Sequence, residues 1–165
     1  MRSSRKLSAL LFTAAALSVL VVRDVGASAP ADQYEPFMPG DTYILDKWTD
    51  LYWQRQVDAE VQLDQPAAIT ACASKSPAGT WRLPTYNELL TLLDDEPHDA
   101  YEGGTIVRKA IDRDAFPGTP TKKRFWSSSV APGGGGFSVH FGIGVADAQD
   151  TTIENYVRCV ADSHP

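Results

Sequence analysis

Three consecutive serines, Ser127, Ser128 and Ser129, and three histidines, His98, His140 and His164, are the residues of this chain that could form a nucleophile and its base. A nucleophilic serine needs a base within hydrogen-bond reach and usually stands on a sharp exposed turn such as G-x-S-x-G. The serines sit instead in an apolar, strand-like stretch, FWSSSV. His164 is next to the last residue and His98 lies in a loop; only His140 falls in a strand-like run, opposite its apolar row. A hydrolase is the weaker reading, and the expectation is no enzyme and no catalytic residue. Zinc takes three or four converging ligands and calcium six to eight oxygens. Asp147, Asp150 and Glu154 supply a few oxygens and read as a solvated acidic turn. The glycines of residues 133–136 lack the Lys and Ser/Thr of a phosphate loop. No metal or cofactor is expected.

The remaining reactive groups are Cys72 and Cys159, with no C-x-x-C motif. Their state depends on the compartment, which the first residues indicate. Arg2, Arg5 and Lys6 precede an uncharged apolar run over residues 7–22, and the small residues Gly26, Ala27, Ser28 and Ala29 follow. That order is a secretory signal, residues 1–27, with cleavage after Ala27 or after Ala31. The run is shorter than the roughly 20 residues of a comfortable membrane helix, although an uncleaved anchor is the alternative. The expected location is exported: periplasmic, cell-surface or secreted. There an isolated cysteine pair bonds, and closing so long a loop stabilises by about 4–5 kcal/mol in the chain-entropy picture.

The full chain of 165 residues has a formal net charge of −6. Residues 1–27 carry four basic residues and one acidic, so their removal leaves −9. An acidic exported chain is a poor nucleic-acid binder, which needs clustered Lys and Arg against phosphate. Lys122, Lys123 and Arg124 form the one basic cluster.

These residues need elements to hold them. Residues 28–41, rich in Ala, Pro, Asp and Gly, read as a linker contributing little core. Tyr43–Asp46 and Leu51–Gln54 read as a hairpin, with Trp48 in its turn and Trp53 in the core. A helix capped by Asp64, with Pro66 in its first turn, should place Ile69 and Cys72 on one face and stop before Pro77. Thr85 and Glu88 make a capping box for a second helix, backed by Leu89, Leu90, Leu92 and Leu93 and ending near Asp95 and Pro97. Residues 97–104 read as a loop and residues 105–111 as a short third helix. Phe125–Val130 reads as a strand. Alternation of apolar and small or polar residues from Phe137 to Val145 predicts one long strand with a buried face, followed by an acidic turn over residues 147–150. Residues 156–160 read as the last strand, with Val157 and Cys159 on one side and Tyr156, Arg158 and Val160 on the other. The sum is one α+β domain with helices against an antiparallel sheet.

Several of these pieces in order resemble the Lcl C-terminal domain family of bacterial exported proteins. LYWQ at Leu51–Gln54 resembles its TGLxWQ segment. Trp81, Arg82, Leu83, Pro84 and Thr85, followed by Glu88 and Leu89, match WRLPTxxEL. Ile111–Asp112 with Phe116–Pro117, then Phe125, Trp126, Ser127 and Ser128, then Arg158, Cys159 and Val160 resemble its ID…FP, YWSS and RCV segments. The resemblance covers residues 42–161. It implies a fold related to C-type lectin-like and formylglycine-generating-enzyme-like domains, with two main helices against antiparallel sheet and a helix cysteine bonded to one in the last strand. A collagen-like adhesin of this family binds sulfated glycans; this chain has no G-X-Y tract. The calcium-lectin motifs EPN, QPD and WND are absent, and the one cysteine pair is assigned to structure rather than to oxidase chemistry.

WRLPTYNEL reads physically as framework: Trp81 and Leu83 for the core, Pro84 and the Thr85–Glu88 box for the helix entry, Arg82 holding a carboxylate or carbonyl. The functional expectation is a non-enzymatic binding module for an extracellular glycan. Trp48 and Tyr101 would stack on sugar, and Lys122, Lys123 and Arg124 would contact sulfate. The alternative is an envelope structural protein that recognises protein partners. No membrane span is expected after signal cleavage.

Overall fold

A four-residue turn between two short β-branched and aromatic runs closes the first hairpin, as expected from sequence. A computed structural model describes residues 29–30, 32–35, 38, 40–94, 98–102 and 105–165, with backbone alone at 98, 100–102, 105 and 107. The signal segment, residues 1–27, lies outside the described residues. Strand β1 (Tyr43–Asp46) pairs antiparallel with β2 (Leu51–Gln54), Ile44 opposite Trp53. Helix α1 (Gln65–Ala73) follows, then β3 (Trp81–Arg82) and helix α2 (Tyr86–Leu90). The rest is strand: β4 (His98–Glu102), β5 (Thr105–Lys109), β6 (Phe125–Val130), β7 (Gly136–His140), β8 (Val145–Gln149) and β9 (Val160–Ala161). They form three sheets, in the orders β1-β2-β9-β3, β4-β5 and β6-β7-β8, all antiparallel. Among the described residues, no helix is long and apolar enough to cross a membrane.

The four-stranded sheet divides the core. Pairing aligns Ile44, Trp53 and Val160 across one face, where they pack with Leu89, Leu92, Ile111, Phe116, Phe125, Val139 and Phe141. The other face carries Tyr43, Tyr52, Ala161 and Trp81, which pack with Ala68 and Cys72 of α1. A period of two sends neighbouring residues to opposite faces. So Tyr156 and Val160 enter the first core, and Val157 and Cys159 enter the second, as the sequence indicated. Cys159 is bonded to Cys72 of α1 across a separation of 87 residues, and no described cysteine is free.

The helix ends follow local rules. The Asp64 carboxylate accepts from Ala67 N at 2.8 Å, and Pro66 sits where no intrahelical donor is lost. The Thr85–Glu88 capping box is complete: Thr85 Oγ1 accepts from Glu88 N, and Glu88 Oε2 accepts from Thr85 N at 2.7 Å.

Several expectations need correction. Ile69 and Cys72 do not share a buried face: Ile69 is 44 % exposed, and Gln65, Ala68 and Cys72 form the inward stripe. The α1 sequence has no charged residue to mark its outer side, so its pattern could not orient it. The second helix closes at Thr91 rather than near Asp95, and residues 95–97 lie outside the described residues. Where a loop over residues 97–104 and a short helix over residues 105–111 were expected, His98–Glu102 and Thr105–Lys109 are instead the paired strands β4 and β5, with Glu102 opposite Thr105. The β-branched Thr105, Ile106 and Val107 favour a strand, and a two-residue Gly-Gly connection suits a hairpin.

The long strand from Phe137 to Val145 is two strands. It breaks after His140, where Gly144 N donates to His140 O at 2.9 Å. Gly144 has φ +67°, and a Cβ on Gly142 would meet Thr121 O at 2.8 Å. The buried apolar row therefore ends at Phe141, and Ile143 is 58 % exposed. Asp147 lies within β8 rather than in a turn. The last strand is only Val160–Ala161; Tyr156 makes an isolated parallel bridge to Phe125.

The segment read as a linker also enters the packing. Glu35 N donates to Leu45 O, Lys47 N donates to Gln33 O, and the Tyr34 ring meets Phe116 edge-on at 5.2 Å. Arg55 donates to Met38 O at 2.8 Å. Residues 33–35 thus cover part of the β1 edge.

Replacing both cysteines by alanine should lower unfolding stability by about 4 kcal/mol while leaving a folded chain at low denaturant. Urea titration of the oxidised chain and of the double variant checks this; equal midpoints would show that the cross-link constrains nothing.

Candidate functional site

The two most distinctive sequence segments meet each other. Pro84 O accepts from Ser128 N at 2.7 Å and from Ser128 Oγ at 3.2 Å, and Tyr86 N donates to Ser129 Oγ at 2.9 Å. Ser127 Oγ donates to Phe137 O at 2.8 Å. The three hydroxyls therefore stitch β6 to the entry of α2 and to β7. The register of β6 against β7 shifts between Trp126 and Val130. The buried Gln65 amide donates to Ser127 O at 2.7 Å and to Ser129 O at 3.4 Å. Gly136 is small because Gln65 lies against it: a Cβ there would sit 2.5–2.8 Å from the amide atoms.

His140 does not join the serines. Its Nδ1 accepts from Gly142 N at 3.1 Å, and burial, helped by the charge of Arg124, lowers its pKa. The imidazole is neutral at pH 7 and shapes the β7–β8 turn. Trp81, Leu83, Pro84 and Trp126 are buried; Trp126 Nε1 donates to Leu63 O and Ile153 O.

Arg82 holds two carboxylates at the edge of the fold. It contacts Glu88 at 2.7 and 2.8 Å and Asp162 at 2.5 and 3.0 Å. Burial alone would raise the pKa of Glu88, but the Arg82 hydrogen bond and the Thr85 N–H outweigh it and lower it. The Arg82 bond also lowers Asp162, and both carboxylates raise the pKa of Arg82. This network ties the α2 start to the residue after β9.

The surface candidates are scattered. Trp48 is 63 % exposed in the β1–β2 turn. Tyr101 lies on β4, with its side chain outside the described residues. Lys122 and Lys123 are exposed ahead of β6, and Lys123 Nζ donates to Glu154 O at 3.3 Å. Arg124 is bound to Asp147 at 2.6 Å, so the basic cluster presents two ammonium groups rather than three cations. Trp48 and the lysines stand on different sheets. Asp150 caps Thr152 through N–H and hydroxyl bonds, and no group of three or more potential metal ligands gathers among the described residues.

Sequence reasoning missed the polar residues that satisfy distant backbone. Arg158 is fully buried and donates to Gln54 O, Arg55 O and Thr119 Oγ1. Asp46 is fully buried and accepts from Gln33 Nε2 and Trp48 N. The one available signal was a charged residue inside an apolar pattern.

The chain is therefore an α+β domain closed by one disulfide, in which the motif residues build the framework and the exposed groups sit on turns. It belongs to the Lcl C-terminal domain family, whose model matches residues 42–161. The packed segment around Gln33 and Tyr34 precedes that match. No curated protein and no solved structure shows significant similarity to the chain.

Because Glu88 and Asp162 have lowered pKa values, their contribution is complete above the unfolded carboxylate range. It is lost as pH falls through the folded values, below about pH 4.5. Arg82→Met should lower stability by about 1 kcal/mol at pH 7, after allowance for partial exposure, and flatten the acid limb. Urea midpoints of both proteins from pH 7 to pH 3 check this; parallel curves would remove the network from the stability account.

Proposed function

We propose that this chain is an exported, non-enzymatic binding module that holds a glycan against Trp48, on a scaffold related to C-type lectin-like domains. The observation that carries this reading is the displayed indole. Trp48 is 63 % exposed, yet its turn is fixed: Trp48 N donates to Asp46 Oδ1 at 3.0 Å, and buried Asp46 is held by Gln33. A large aromatic ring kept in water on a pinned turn suits stacking on the apolar face of a sugar. Tyr101 on β4 is the second stacking candidate.

A disulfide is the usual property of an exported chain, which supports the export reading. The engagement of Ser127, Ser128, Ser129 and His140 with the scaffold supports a non-enzymatic role. With Arg124 occupied by Asp147, and with excess acidic charge, a neutral or weakly charged glycan fits better than a densely sulfated one. In that role Lys122 and Lys123 are auxiliary contacts.

A glycan array probed with the full chain at low and high salt tests the reading. Trp48→Ala should reduce bound signal about tenfold or more while shifting stability by less than about 0.5 kcal/mol. Absence of any glycan signal, or equal binding by the variant, would refute it.

A further inference from the structure

A cavity of about 280 Å³ opens beside the disulfide, away from the Trp48 turn. Val61 and Leu63 from the segment after β2, Ala71 of α1 and Val157 ahead of β9 give it apolar walls. Cys159 lies at its base, and Gln54, Asp58 and Lys75 complete the lining. The shape is held from below. Gln54 Nε2 donates to Gln56 O at 2.8 Å, and its Oε1 accepts from Cys159 N at 3.1 Å, so both ends of the amide are fixed to backbone. Val61 is 46 % exposed, an apolar side chain left in water at the rim.

Two opposite charges line this space without meeting. Among the described residues, no ion pair joins Asp58 to Lys75. Asp58 Oδ1 accepts from Glu60 N at 2.9 Å, while Oδ2 has no hydrogen bond to any of the described residues. Lys75 Nζ stands 5.5 Å from the centre of the Trp81 ring. An apolar floor bordered by one carboxylate and one ammonium is complementary to a molecule that carries both opposite charges on an apolar body. Asp58 is exposed and Lys75 half-buried, so a ligand carrying both charges engages both groups at once, whereas a singly charged one engages only one. The volume lies near the small end of ligand cavities and suits a small molecule rather than a folded partner.

We propose that this cavity binds a small zwitterion with an apolar side chain: an apolar α-amino acid or a dipeptide with free termini. Its ammonium meets Asp58, its carboxylate meets Lys75, and its side chain covers Val61, Leu63, Ala71 and Val157. The site shares no residue with the Trp48 turn, so it stands or falls independently of the glycan reading.

Amide NMR titrations of the full chain with leucine, Leu-Leu, N-acetyl-leucine amide and N-acetylglucosamine test it, each at about 10 mM, in tenfold excess over a millimolar Kd. Leucine or Leu-Leu should give saturable shifts at Val61, Leu63, Lys75 and Val157, and the blocked derivative should give none. Asp58→Asn and Lys75→Met should each weaken binding about tenfold, with the rest of the spectrum unchanged, and Lys75→Arg should retain most of it. Equal shifts from the blocked derivative, shifts from the sugar instead, or no shifts at these amides would overturn the proposal.

Discussion

Arg158 lies fully buried between the rings of Phe116 and Phe125, at 4.6 and 5.6 Å, and burial pulls its pKa down to about 9. It remains charged at neutral pH, and its two terminal nitrogens are matched by the fold rather than by water, while Nε has no partner among the described residues. Two go to the carbonyls of Gln54 and Arg55 at the end of β2, and one goes to Thr119 Oγ1, which itself donates to Phe116 O. The end of the first hairpin and the 116–119 turn are thereby fixed to the residue beside Cys159. Consecutive residues then face opposite cores: Arg158 the aromatic one, Cys159 the one beneath α1. This pair of constraints locates β9, and β9 is the strand on which β2 and β3 both close.

The same division separates framework from surface chemistry. The WRLPT and WSSS segments spend their polar groups on each other, through Pro84 O, Tyr86 N and the serine hydroxyls. Arg82 is committed to Glu88 and Asp162. What stays open lies in less distinctive sequence: the Trp48 turn, and the cavity whose lining includes Asp58 and Val61 from the segment before α1. A family match carried by framework residues identifies the fold's construction and leaves the ligand to these regions.

Local chemistry was legible in the sequence. Asp64 and the Thr85–Glu88 box start helices where expected, and the two sides of residues 156–160 follow from a period of two. The β4–β5 hairpin was missed although Thr105, Ile106 and Val107 favour a strand, because the run is short and its partner, HDAYE at His98–Glu102, shows no apolar alternation. The break after His140 was hidden because Ile143 and Val145 continue the alternation through a turn set by Gly142 and Gly144. Partners far away in sequence hid the rest. Arg124 meets Asp147 from another strand, Gln65 serves carbonyls of β6, and Gln33 reaches Asp46 from a segment that looks like linker. The exposure of Trp48 could be expected from its turn; the cavity could not, since its walls come from three separate stretches.

The central claim is that a buried guanidinium, bonded to the fold through both terminal nitrogens, organises the domain. Urea unfolding of Arg158→Lys tests it most directly, because a lysine keeps the charge but cannot donate to three acceptors in a fixed plane. The account predicts a loss of about 2–4 kcal/mol with an unchanged denaturant dependence. A midpoint equal to that of the parent chain would contradict it.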